Sequence, residues 1–486
     1  MKKMKIYHIL IWVILLILVI VLSNSITNNI YCGKENKFDN NLLSIMIETG
    51  EASGQYEKSN NSLWPTGDYV FNAELSRCEN GSTLNWIDAK KAVEYSGNLS
   101  DKCYIYFDYV PPVKLTNYIT SKYTGTQGEN GIYYHESNLT NGAGDNSYRY
   151  AGGDYVLTDA GKATGATMMI GYNNTVTTAL IDFYCNGTKQ FVGYVCSSSQ
   201  THYYLIKGDT TQYQSYNEAL SASVEKGYLT KDNVKNFVCF GSEASTCPTE
   251  NLYRIIGVFN NQVKLIKYDY AKSSLLGTDG DFSQEYSYYF SGEQGESPSS
   301  NSVYYWNNAG TNTWSESNLN KVNLNTNFVN NIGSTWSDKI ATTTWKVGGG
   351  SWANIGTSVP KTAYQYEVGS SASTTTYDAK IGLMYVTDYY YSASPSAWTL
   401  VGNNSSDATK DYRFSKGENW LYGGGWDWTI SRRSDLFDAA FGVSDIGRVG
   451  NFGVSGFSGA RPSFSLLSST TYVSGSGSMS DPVRIN

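Results

Sequence analysis

Residues 426–466 read W-D-W-T-I-S-R-R-S-D-L-F-D-A-A-F-G-V-S-D-I-G-R-V-G-N-F-G-V-S-G-F-S-G-A-R-P-S-F-S-L, and no other stretch constrains the fold as tightly. Two alternating runs, 440–444 and 448–454, flank Asp445-Ile446-Gly447. A three-residue connection ending in Gly is the spacing of a hairpin with a bulged turn. Gly459-Ala460-Arg461-Pro462 closes the run, and a second alternating segment follows at 463–466. Gly456-Phe457-Ser458-Gly459-Ala460 approaches a nucleophile elbow, yet the strict final Gly is missing and Arg461-Pro462 stands where a helix would have to begin. Glycine recurs at every third position from Gly447 to Gly459, over too short a span and without interior proline for a collagen helix. The stretch therefore predicts a rigid ribbon that presents side chains, not a reaction centre.

The rest of the chain agrees with a ribbon-rich protein. Charged residues make up only 16% of it while Tyr numbers 41 and Gly 47, a composition of polar strands, turns and aromatic surfaces. The net charge of −7 and the lack of a basic stripe argue against nucleic acid as a partner. Six of the seven cysteines fall into three sequential couples, Cys78 with Cys103, Cys185 with Cys196 and Cys239 with Cys247, leaving Cys32 over. No C-x-x-C occurs and the histidines are only His8, His135 and His202, so disulfides are the expected use and a metal site is not. That implies an oxidising compartment.

Taken in order, residues 1–5 carry three lysines and residues 6–22 are apolar apart from Tyr7 and His8. Such a segment spans roughly 25 Å as a helix, at the lower limit for a bilayer core. Ser23-Asn24-Ser25 is a small-x-small site, so residues 1–25 are a signal peptide or a membrane anchor. Residues 26–63 read as a polar linker or stalk, with one amphipathic piece at 42–48. Residues 64–110 alternate and are expected to form a small β-sandwich-like module stapled by Cys78 and Cys103. Residues 111–153 open a larger domain, 154–236 form an inserted module with a disulfide-closed hairpin (179–184 and 191–196) and a helix at 216–226, and 237–486 complete the main domain. There the runs 252–259 and 262–267 around Asn260-Asn261 predict a hairpin, 318–332 and 337–345 helices, and 381–386 a buried strand. Strands with helices packed to one side make the fold class α+β.

The frame W-x-I-S-R-R-S-D, then A-F-x-V-S-x-x-G-x-V, then G-x-R-P-S-F resembles the end of bacterial C-type-lectin-like domains of the formylglycine-generating-enzyme branch, with Ala460 where that family's closing motif has Val. Some members are variable proteins of diversity-generating retroelements, in which adenine-directed mutagenesis rewrites codons of this segment. The resemblance implies a C-type-lectin-like fold over residues 115–153 and 237–486. It also implies a ligand surface at Gly442, Asp445, Ile446, Arg448, Gly450, Asn451, Phe452, Ser455 and Phe457, with Leu436, Phe437 and Asp438 beside it. Randomised adenines in an Asn codon never give Glu, Lys, Gln, Met or Trp, and none of these occurs in residues 429–478; Gly/Ser-rich strands avoid the same residues, so both accounts stand. The enzymes of that branch depend on a C-terminal cysteine pair, and residues 248–486 contain no cysteine.

Other constellations carry less. His135 beside Glu136 is a lone histidine in a turn-rich loop. Thr278-Asp279-Gly280-Asp281 with Glu285 has calcium-like oxygens but also reads as a turn, and Arg432-Arg433 with Asp435 reads as a local ion pair. No cofactor is expected and no nucleophile, base and orienting residue assemble. The expectation is a secreted or membrane-anchored surface protein for ligand binding or adhesion, its partner a protein or carbohydrate on another cell or phage, with the membrane reached through the N-terminal segment. The alternatives are an envelope, pilus-like or phage-like assembly component, and an enzyme of the formylglycine-generating-enzyme-like group.

Overall fold

The computed structural model describes residues 42–60, 64–65, 67–87, 90, 92–98, 100–168, 178–190, 196, 199–231, 233–286 and 301–486, together with the backbone of 30–32, 287–288 and 299–300. The N-terminal apolar segment and residues 191–195 of the outer strand expected at 191–196 lie outside the described residues. The chain divides into two compact units, Met1–Pro112 and Val113–Asn486, and its architecture is mixed, with many small sheets and short helices. No helix among the described residues is long and apolar enough to cross a membrane.

Within Met1–Pro112, strand Leu43–Glu48 runs parallel to Cys103–Tyr109 and antiparallel to Tyr56–Lys58, and Tyr69–Cys78 closes the sheet on the far side of Cys103–Tyr109. Residues 43–58 were expected to be linker. They form strands because Leu43, Ile45 and Ile47 alternate with Ser44, Met46 and Glu48, a period of two that buries one face, and Ile45 is indeed buried. A second sheet places Ala92–Ser96 between Ile30–Cys32 and Thr83–Ile87, antiparallel to both. The core is small and aromatic: Trp64, Trp86 and Phe107 lie 5.5–5.9 Å apart, edge-on or tilted, geometries that ring quadrupoles favour. Cys78 and Cys103 are bonded across adjacent strands.

Unit Val113–Asn486 is built on an antiparallel sheet in the order Ser463–Ser465, Gln262–Lys267, Leu252–Phe259, Tyr148–Tyr150, Ile132–Tyr134, with Phe237–Cys239 also paired to Leu252–Phe259. Its central hairpin turns at Asn260 and Asn261, both at positive φ (47° and 60°), a conformation asparagine tolerates. Trp306, Trp314, Trp345 and Trp428 are buried in the large core that this sheet carries. Residues 157–229 own a separate core around Phe183, Tyr204, Ile206 and Leu220. The chain enters and leaves it side by side, Val156–Leu157 pairing with Leu229–Thr230.

Two element expectations fail here. Residues 337–345 are not a helix: a helical turn at Ser334–Ser337 gives way to strand Thr343–Lys346, paired with Thr376–Ala379, because Thr342-Thr343-Thr344 is β-branched and stiff at χ1. Residues 381–386 are not a strand; Gly382 makes one bridge to Ser463 before helix Val386–Tyr391 begins. The stretch at 318–332 is mostly a π-helix, Leu319–Phe328. All three cysteine couples are disulfides.

Candidate functional site

The ribbon is a three-stranded antiparallel sheet, Asp427–Arg432, Ala439–Val443 and Val449–Gly453, with Ala439 opposite Gly453 and Val443 opposite Val449. Buried tryptophans anchor it from below: the Trp428 indole donates to the Tyr304 carbonyl at 2.7 Å, and the Trp306 indole to the Thr429 carbonyl at 2.9 Å. Arg461 of the closing motif lies buried against Asp427, its Nε donating to Oδ2 at 2.6 Å while Nη2 reaches the Leu421 carbonyl at 2.7 Å. Burial pushes the Asp427 carboxyl up to about 6, against the pull of the Arg461 charge. The loop between the first two strands hangs on Asn312, whose amide donates to the carbonyls of Arg433, Leu436 and Ala439 at 2.7–2.8 Å. Arg433 grips Asp435 through Nε at 3.0 Å and Nη2 at 2.6 Å. These residues are framework.

The structure sorts the expected ligand residues into three groups. Leu436, Phe437 and Asp438 precede the middle strand, Ser455 and Phe457 follow the last, and Val454 N–H donates to the Asp438 carbonyl at 2.9 Å, so these five share one end of the ribbon. Phe437 is 73% exposed, Phe457 44% and Leu436 41%. Asp445, Ile446 and Arg448 sit at the opposite end, around Gly447 at φ 82°, about 15 Å away at a strand rise of about 3.3 Å per residue. Asp445 is exposed, and Ile446 and Arg448 are half-buried.

Of the remaining positions the two glycines are buried and Asn451 and Phe452 are half-buried. Gly442 and Gly450 are buried beneath the half-buried Phe452 ring, where an added Cβ would come within 2.7–2.8 Å of that ring; glycine in a strand here marks close approach, not a pocket. Asn451 is opposite Phe441 and so on the other face from Phe452. The sequence reading missed Trp426 and Tyr286. Trp426, 42% exposed, packs on Phe452 at 4.7 Å, and Tyr286, 45% exposed, lies 6.0 Å from Phe457. Tyr286 arrives through strand Ser299–Tyr305, which pairs with Phe457–Ser458; that contact spans far too much sequence for local alternation to show. Trp426 carried a signal, since it alternates with the buried Trp428.

The polar constellations turn out to be structural. His135 is fully buried, its Nδ1 accepting the Ala143 N–H at 3.0 Å and its ring edge-on to Tyr391 at 4.7 Å. Burial and the nearby Arg149 charge hold it well below the usual imidazole value. Asp281 accepts backbone N–H groups of Asn308, Asn318 and Leu319 at 2.8–3.2 Å, which caps the π-helix, and Glu285 accepts from Ser302. Among the described residues no group of three or more His, Cys, Asp or Glu is placed to hold a metal. Ser458 is buried. Comparison with protein-family models, with curated proteins and with solved structures returns no match to this chain.

Proposed function

We propose that the chain is a bacterial cell-surface or secreted binding and adhesion protein, and that unit Val113–Asn486 is a C-type-lectin-like scaffold displaying an exchangeable ligand surface. The carrying observation is the division of labour in the ribbon: the frame residues Trp428, Arg461 and Asp427 are buried and hydrogen-bonded, while Leu436, Phe437 and Phe457 stand exposed on backbone that the frame fixes. Exposed aromatic side chains clustered on a rigid element are what a binding surface needs, because such rings supply most of the energy at recognition hot spots. The three disulfides support an oxidising location. The ligand is a protein or carbohydrate on another cell or phage, met at the aromatic end of the ribbon.

The test is the triple variant Leu436→Ser, Phe437→Ser, Phe457→Ser of the purified chain, applied with the parent to a glycan array and to a panel of intact bacterial cells. Binding to whichever surface the parent recognises is expected to be lost, with the unfolding midpoint moved by less than about 3 °C. Retained binding, or a collapsed fold, overturns the reading. The coding DNA offers a second check on exchangeability: a near-copy of this repeat, differing at adenines and lying beside a reverse-transcriptase gene.

A further inference from the structure

Away from the aromatic end of the ribbon, unit Val113–Asn486 holds two neighbouring cavities of about 530 and about 570 Å³ that share Lys231 as a lining residue, each of a size that takes a small molecule. The first is walled by rings: Tyr216 from the helix of the 157–229 core, Trp420 and Tyr422 from the main core, and Phe237 and Tyr268 beside them. The second is lined by Lys122 and Lys235, with the Lys122 ammonium 4.3 Å above the Tyr118 ring. The chain as a whole is acidic, yet the two cavities gather Lys122, Lys231, Lys235 and Lys416. Asp154 is the one carboxylate lining them among the described residues, and Arg254 holds both its oxygens at 2.7 Å. A concave surface with cations in excess focuses a positive potential whatever the net charge.

Lys416 is the most informative of the four. It is 2% exposed, lines the aromatic cavity, and its Nζ has no hydrogen-bond partner among the described residues. Burial pushes the ammonium down to about 8, partly opposed by the Asp445 charge, and Tyr422 presents its ring at 5.8 Å. A buried cation without a hydrogen-bonded anion is costly to keep, and a ligand oxygen anion would relieve that cost. The four cations are spread over two cavities instead of converging on one point. A single phosphate would meet at most part of them, whereas a chain of rings with a carboxylate on each residue would meet them in turn and stack on the aromatic wall.

We propose that these cavities bind an acidic oligosaccharide, one uronate ring lying against the aromatic wall with its carboxylate on Lys416 and the next two carboxylates shared among Lys231, Lys122 and Lys235. This site is separate from the aromatic end of the ribbon, so the two stand or fall independently.

Isothermal titration of the purified chain with trigalacturonic acid tests it, with chitotriose and inorganic phosphate as the neutral and free-anion arms. Saturable binding of trigalacturonic acid is expected, weakened at least about tenfold by Lys416→Met and several-fold by the exposed-site variant Lys231→Ala, and reduced by salt as charge pairing requires. Lys416→Met replaces an unpartnered buried amine by an apolar chain of similar length, so its melting temperature should not fall; if it does not fold, Lys231→Ala and Lys122→Ala carry the test. The ribbon triple variant should bind trigalacturonic acid as the parent does. Absence of saturable binding, equal binding of chitotriose, competition by phosphate at equal concentration, or unchanged affinity in the lysine variants would each overturn the proposal.

Discussion

His135 is enclosed by Tyr391 and Trp398 at ring separations of 4.7 and 5.1 Å, and the Arg149 charge adds to the effect of burial on it. Nothing in the sequence around it distinguishes this from a solvent-facing histidine beside Glu136, because the enclosing rings come from more than 250 positions downstream. Its burial has a measurable consequence. The folded-state pKa lies below the unfolded value of about 6.5, so as pH falls below about 6.5 the unfolded chain takes up a proton that the folded chain refuses. Stability is therefore lost downward through that window, by up to about 1.4 kcal/mol per pH unit from this group. His135→Asn keeps an acceptor for the Ala143 N–H without a titrating ring, and its stability between pH 6.5 and 5 should fall less steeply than the parent's. Denaturant midpoints at four pH values across that range decide it; parallel curves would show that His135 does not contribute the slope.

The ribbon shows what alternation can and cannot tell. Alternating residues predict strands at 440–444 and 448–454, and the structure has them at Ala439–Val443 and Val449–Gly453, joined through Gly447. Period two identifies which side chains share a face, but whether that face meets solvent depends on what packs on it. Gly442 and Gly450 were expected on the ligand surface, and instead they make room for Phe452, which in turn seats against Trp426 and Trp428 at 4.7 and 6.0 Å. A methyl group at Gly450 would come within 2.7 Å of the Phe452 ring, so Gly450→Ala should cost about 1–3 kcal/mol by overpacking. In a Phe452→Ala background the same change should cost less than about 1 kcal/mol, since the two residues compete for one space and neighbouring effects are not additive. Urea midpoints for the four corners of the cycle measure the coupling; additive losses would mean that Phe452 does not occupy the glycine channel.

At the scale of the molecule, local signals and long-range pairings part company. The cysteine couples were legible because their separations of 25, 11 and 8 residues keep each bridge inside one local segment. The main sheet was not: Gln262–Lys267 pairs with Ser463–Ser465 across nearly two hundred residues, and neither strand carries a mark of the other. The local bridges matter unequally. By the loop-closure relation the Cys78–Cys103 bridge restricts the unfolded chain by about 3.5 kcal/mol and the Cys239–Cys247 bridge by about 2.5 kcal/mol. The first acts in unit Met1–Pro112, whose buried apolar cluster is Ile45, Trp64, Val93, Ile105 and Phe107, a core small enough that its stability falls at the low end of the range for folded domains. The second acts in unit Val113–Asn486, where the buried cluster runs from Leu115 to Ile485. Calorimetry of Cys78→Ser, Cys103→Ser should therefore show the small unit's transition falling by more than about 10 °C, and Cys239→Ser, Cys247→Ser should lower the large unit's transition by less than about 10 °C, because a given free-energy loss shifts a larger domain less. If the large unit's transition fell further than the small unit's, the stability of Val113–Asn486 would rest on its bridge and not on the tryptophan-rich core that holds the ribbon in place.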